Sequence, residues 1–122
     1  MTLAAQIADF VERQYVLEEG DVRANVEQLF AEDLAYHAGG ETLGREDLVA
    51  MGHEVRATSR QGRRFSLSGW REDASTVRWL LSANLPGMGA DGGDLRQESE
   101  VTAVFGEDGM VREVWSRDAG TR

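Results

Sequence analysis

The residues of this chain that could do chemistry are few, and several declare themselves by standing at inward positions among apolar neighbours. Along Leu95 to Phe105 the alternation puts Leu95, Gln97, Ser99, Val101, Ala103 and Phe105 on one face. An amide and a hydroxyl on such a face need partners, which a ligand or ordered water would supply. Gln14, on the inner stripe of the first helix, makes a similar case, so Gln14, Gln97 and Ser99 are expected to line a wet pocket. Asp118 shares strand parity with Val114 and Ser116 and is expected to look toward the same side. A carboxylate among apolar walls has its pKa raised and can act as a general acid or base; the alternative is a solvated acid in a fraying C-terminal segment. Trp79 and Trp115 are expected to line the cavity or its core, where flat apolar walls suit a polycyclic or terpenoid ligand and ordinary packing explains them equally well. With Ser116 they complete the candidate substrate-binding set.

Other chemistries find no footing. The two histidines, His37 and His53, stand apart from any His/Asp/Glu cluster with metal-ligand spacing. His37 has the parity opposite to Tyr36, and Glu113 the parity opposite to Asp118, so both are expected on an outer face. Gly87, Gly89, Gly92 and Gly93 join two predicted strands and do not open a helix, so they are no phosphate cradle. No serine sits in a nucleophile elbow. The chain has no cysteine, which excludes disulfides and thiolate metal sites. The expectation is chemistry without a metal or cofactor.

The elements that must position these residues follow from hydrophobic period. Leu3, Ile7, Phe10, Val11 and Leu17 give helical spacing over Leu3 to Glu19, with Thr2 as N-cap and Gly20-Asp21 as the stop and the next cap. Val22, Val26, Leu29 and Phe30 mark a short second helix, Leu34 to Ala38 a brief strand closed by Gly39-Gly40, and Arg45 to Thr58 a third helix. After Gly62 the period drops to two: Arg64–Trp70, Val77–Leu85, Leu95–Phe105 and Met110–Arg117 read as four meandering strands, the last pair joined at Glu107-Asp108-Gly109. In this alternation Trp70 and Leu80 fall on outer faces, which hints at a contact between copies. Helices followed by a run of strands predict an α+β fold, a curved antiparallel sheet packed against N-terminal helices around a cavity.

The 122 residues fit one domain, 1–122. The 22 acidic residues outweigh 13 basic ones, all arginine, for a formal charge of −9. That balance repels phosphate backbones and anionic membranes, so neither nucleic acid nor membrane is expected as a partner. No apolar run is long enough to span a bilayer. A cytoplasmic location is the default expectation.

Three stretches resemble the nuclear transport factor 2-like superfamily, which holds ketosteroid isomerases, limonene epoxide hydrolases and SnoaL-type polyketide cyclases: EEGDVRANVEQLFAEDLAYH, GGETLGREDLVAM and VTAVFGEDGMVREVWSRD. The resemblance implies a cone-shaped roll, also called cystatin-like, and a homodimer formed through the outer sheet face. It does not carry a function across, because this fold hosts unrelated tasks. The two carboxylate positions of ketosteroid isomerases fall on Ala38 and Val101, which disfavours isomerisation by that pair. Tyr36 matches the tyrosine that holds water in the epoxide hydrolases, while their asparagine falls on Ala38 and their Arg/Asp pair near Leu81 and Ala83. SnoaL-type cyclases place an acid after the tryptophan of the last strand, where Ser116 follows Trp115. On this resemblance the Tyr36 hydroxyl enters the cavity and can donate to a developing oxyanion, with Asp118 as acid or base.

Three readings stand together. One is a cofactor-independent acid–base enzyme that cyclises, isomerises or hydrates a small apolar polyketide-, terpenoid- or steroid-like metabolite. The second is a non-catalytic small-molecule-binding or dimerisation module. The third is an interaction domain using the outer sheet, with its cavity filled by side chains.

Overall fold

A computed structural model describes residues 2–58 and 62–118. Helix α1 (Leu3–Val11) starts where the Thr2 hydroxyl accepts the Ala5 N–H at 3.0 Å. It widens into a π-helical turn, Glu12–Val16, instead of continuing as α-helix to Glu19. Gly20, at φ +79°, ends this segment, and the Asp21 carboxylate caps α2 (Val22–Leu29) by accepting the Ala24 N–H. Phe30 does not close that helix; it opens β1 (Phe30–Ala38), which is four residues longer at its start than the sequence predicts. Gly39 and Gly40, both at positive φ, turn the chain into a short strand β2 (Glu41–Leu43) where only a link was expected. Helix α3 (Arg45–Thr58) follows, with Glu46 and Asp47 in its first turn, the favourable sign for the helix dipole. Strands β3 (Arg64–Asp73), β4 (Thr76–Leu85), β5 (Leu95–Phe105) and β6 (Val111–Asp118) complete the order.

The six strands form one curved sheet in the order β2-β1-β6-β5-β4-β3, and with the helices they make the expected α+β cone. Four of its pairings are antiparallel. The exception is β1, which runs parallel to β6, because the long connection through α3 and four strands brings the last strand back beside the first. The helices cover the concave face. Val26, Val77 and Val111 are completely enclosed there, each burial contributing about 1.5–3 kcal/mol. No described helix is long and apolar enough to cross a membrane.

One strand face differs from simple alternation. Gly69 adopts φ +64° and the β3–β4 register shifts between Ser68 and Arg71. This bulge inserts an extra residue, which turns Trp70 from the predicted outer face onto the core, stacked on Trp79 at 5.4 Å. Leu80 stays outside and is 46% exposed.

Candidate functional site

The concave face and the helices enclose an apolar cavity of about 200 Å³. Its floor is sheet: Tyr36 and Ala38 from β1, Trp79, Leu81 and Ala83 from β4, Val101 and Ala103 from β5, Val114 and Ser116 from β6. Its roof is helical, with Phe10, Tyr15, Leu48, Met51 and Val55. The register explains the grouping, since Tyr36 lies beside Val114, Ala38 beside Ser116, and Ser116 beside Val101, so all five share one face.

Tyr36 and Ser116 are the polar pair of the floor. They share a hydrogen bond, which favours the ionised phenol, but burial outweighs it and the Tyr36 pKa is raised. Facing them is a second phenol that the sequence reading passed over. Tyr15 is 9% exposed and packs edge-on to Phe10 and flat on Phe65 at 5.2 Å. Burial pushes its pKa well up, the nearby Tyr36 adds to the rise, and the Arg56 guanidinium opposes it. Both hydroxyls are therefore held as neutral donors in an apolar space. Trp79 forms part of the wall, and Gln97 reaches in from an exposed position at the rim.

Other candidates lie elsewhere. Gln14 is fully buried, but inside the helical layer. Its Nε2 donates to the Val22 carbonyl, and its Oε1 accepts from Asn25 Nδ2 at 2.9 Å and from an Arg56 N–H at 3.1 Å. The protein itself satisfies it, so it needs no ligand. Ser99 is buried outside the cavity wall and accepts the Gln97 amide at 3.2 Å. Trp115 points the other way, onto the outer face, 42% exposed and stacked on His37 at 5.5 Å. Its parity is opposite to that of Val114 and Ser116, which the sequence expectation did not honour. His37 also meets Glu113 at 3.0 Å on that outer face. Asp118 pairs in register with Ser99, yet it sits exposed at the strand end and does not reach the cavity wall. Tyr36 and Asp118 are thus not brought together.

The positions where ketosteroid isomerases carry carboxylates, Ala38 and Val101, do face the cavity, as do Leu81 and Ala83. Among the described residues, the wall holds no carboxylate, imidazole or guanidinium.

No protein-family model matches the chain, and no curated protein matches it in sequence. Solved structures do match. An NTF2-like protein of unknown function from Exiguobacterium sp. 255-15 aligns over 98% of this chain and 100% of its own, with a TM-score of 0.69 and 16% identity. A provisionally assigned isomerase of the SnoaL-like family from Agrobacterium tumefaciens str. C58 aligns over the same shares at 0.68 and 22%. A SnoaL-like polyketide cyclase from the same organism covers 96% of this chain and 91% of its own at 0.68 and 15%. The chain has the NTF2-like fold. In this NTF2-like cone, the π-helical turn is what aims Tyr15. Continuing α spacing from Phe10 and Val11 makes Gln14 and Tyr15 share one inner stripe, and the wider turn sends Gln14 toward α2 and Tyr15 toward the sheet. A tyrosine four residues after Val11 was the available signal.

Proposed function

We propose that this chain takes a compact, apolar, oxygen-bearing metabolite into the cavity and promotes its cyclisation, isomerisation or epoxide opening without a cofactor, by polarising that oxygen with the Tyr36 phenol. The observation that carries this reading is a pair of phenols, Tyr36 and Tyr15, kept protonated in one apolar space. A neutral phenol in low dielectric donates strongly to an oxygen on which charge develops, and water cannot compete for it. Cavity size narrows the ligand. An apolar cavity of about 150 Å³ accepts benzene, so 200 Å³ suits one ring or a short branched skeleton and is too small for four fused rings. With no carboxylate or imidazole base in the described wall, a proton leaving carbon or an attacking water passes to the substrate's own developing oxyanion. Reactions that need a fixed conformation and a polarised oxygen fit best.

That same lack of a base in the described wall favours a second reading, binding without turnover. The test is incubation with small cyclic enones, ketones and epoxides, followed by product analysis. Tyr36→Phe should lower the rate about 10²–10³-fold, the usual loss for one oxyanion donor, while affinity for hydrocarbon analogues stays. Saturable binding with no product from any of them would support the second reading. The proposal also takes the outer sheet face, where Leu80 and Trp115 are exposed, as a homodimer contact.

A further inference from the structure

Tyr15 brings to the cavity a hydroxyl that the proposed reaction does not use. Its ring is clamped edge-on to Phe10 at 5.9 Å and flat on Phe65 at 5.2 Å, and the residue is only 9% exposed. Among the described residues the hydroxyl takes part in no hydrogen bond, whether with Tyr36, with Arg56 or with any other group. A phenol buried to that degree ordinarily has a partner for its O–H. The other polar side chains of the described wall are provided for: Tyr36 has Ser116, and Gln97 donates to Ser99. Burial holds Tyr15 in its protonated form, so what it offers is a donor.

The two phenols enter the space from different places. Tyr36 rises from β1 at one end of the floor, in register with Val114 and Ala103. Tyr15 hangs from the helical roof over Phe65 of β3, whose row runs through Ala83 to Gln97. Along β5 the two rows are six residues apart, about 20 Å of extended strand, and β1 and β3 are separated by three strands. Donors set so far apart in the framework fit two acceptors better than one. We infer that Tyr15 is a second ligand-binding donor, and that the bound molecule carries two acceptor oxygens at opposite ends of one small apolar skeleton. The oxygen at Tyr36 is the one on which charge develops; the oxygen at Tyr15 fixes which end of the molecule meets Tyr36. This rests on the proposed ligand-binding role of the cavity and adds the class of ligand, a dioxygenated ring or short chain. It makes Tyr15 a determinant of specificity, because a ligand lacking the second oxygen leaves a buried donor unpaired.

The probes are cyclohexane-1,4-dione, 4-methylenecyclohexanone and 1,4-dimethylenecyclohexane, nearly equal in shape and bearing two, one and no acceptor oxygens. Each is titrated calorimetrically into the wild-type chain, Tyr15→Phe and Tyr36→Phe. The expected result is that Tyr15→Phe weakens the dione about tenfold, the usual scale of one hydrogen bond, and leaves the ketone and the hydrocarbon as they were. Tyr36→Phe should weaken dione and ketone alike. A dione affinity that Tyr15→Phe does not change would overturn the second donor and leave the cavity reading standing. So would a tenfold loss of both dione and ketone in Tyr15→Phe, which would put the two phenols on one oxygen, or an equal loss of all three probes, which would make Tyr15 a packing residue. No binding of any probe would overturn the cavity reading and this inference with it.

Discussion

A phenol walled by Phe10, Trp79 and Val101 keeps its proton because water is not there to solvate the phenolate, and that has a measurable consequence at high pH. Tyr15 and Tyr36 both have pKa values raised above the unfolded value of about 10. Below that value both states are protonated and the two tyrosines contribute no pH dependence. As pH rises through it, the unfolded chain loses protons that the folded chain retains, so stability falls. Chemical unfolding followed across the alkaline range should therefore show a steeper loss in the wild type than in a Tyr15→Phe/Tyr36→Phe variant. Asp118 is different: exposed at the end of β6, it has no apolar enclosure to make it a general acid or base. Asp118→Asn should leave both turnover and stability essentially unchanged, measured beside Tyr36→Phe with the same substrate.

Where the helices meet, a short polar knot fixes the cavity roof. Gln14 gathers Val22, Asn25 and Arg56 around one buried amide, and Arg56 also binds the Gln14 and Gly20 carbonyls at 3.0 and 2.9 Å. Replacing Gln14 by Leu strands these donors and acceptors, which should cost about 2–4 kcal/mol in a denaturant melt and loosen Tyr15, its chain neighbour. Gly52 packs against the same knot. A Cβ there would stand 2.7 Å from Val22 Cγ1 and 2.9 Å from Gln14 Nε2, so Gly52→Ala should destabilise by about 1–3 kcal/mol through overpacking. Periodicity made the three helices, the four long strands and most of the cavity floor legible, because period 3.6 and period 2 each reflect one buried face. It failed where the backbone changes its own count. Helical spacing from Val11 pointed to Tyr15 and was passed over, while the π turn made Gln14 look like a pocket residue and the Gly69 bulge reversed Trp70. Trp115 and Asp118 were expected at the cavity and lie outside it for other reasons: one because its parity was overlooked, the other because parity gives a face but not how far along the strand the enclosure extends.

The sheet divides the molecule into two unlike surfaces, a concave face closed by helices over the phenols and an outer face carrying Leu80, Trp115 and paired charges such as Arg117–Glu100. If copies associate through that outer face, Leu80→Asp should shift the species seen by light scattering toward monomer while the cavity keeps its ligand. The most direct measurement compares the affinities of acetophenone and ethylbenzene, nearly equal in shape and differing by one acceptor oxygen, for the wild-type chain and Tyr36→Phe. Acetophenone should bind the wild type about tenfold tighter, as one hydrogen bond formed away from water allows, and Tyr36→Phe should remove the difference while ethylbenzene binds as before. Equal affinities in the wild type, or a preference that survives in Tyr36→Phe, would contradict a donor role for Tyr36.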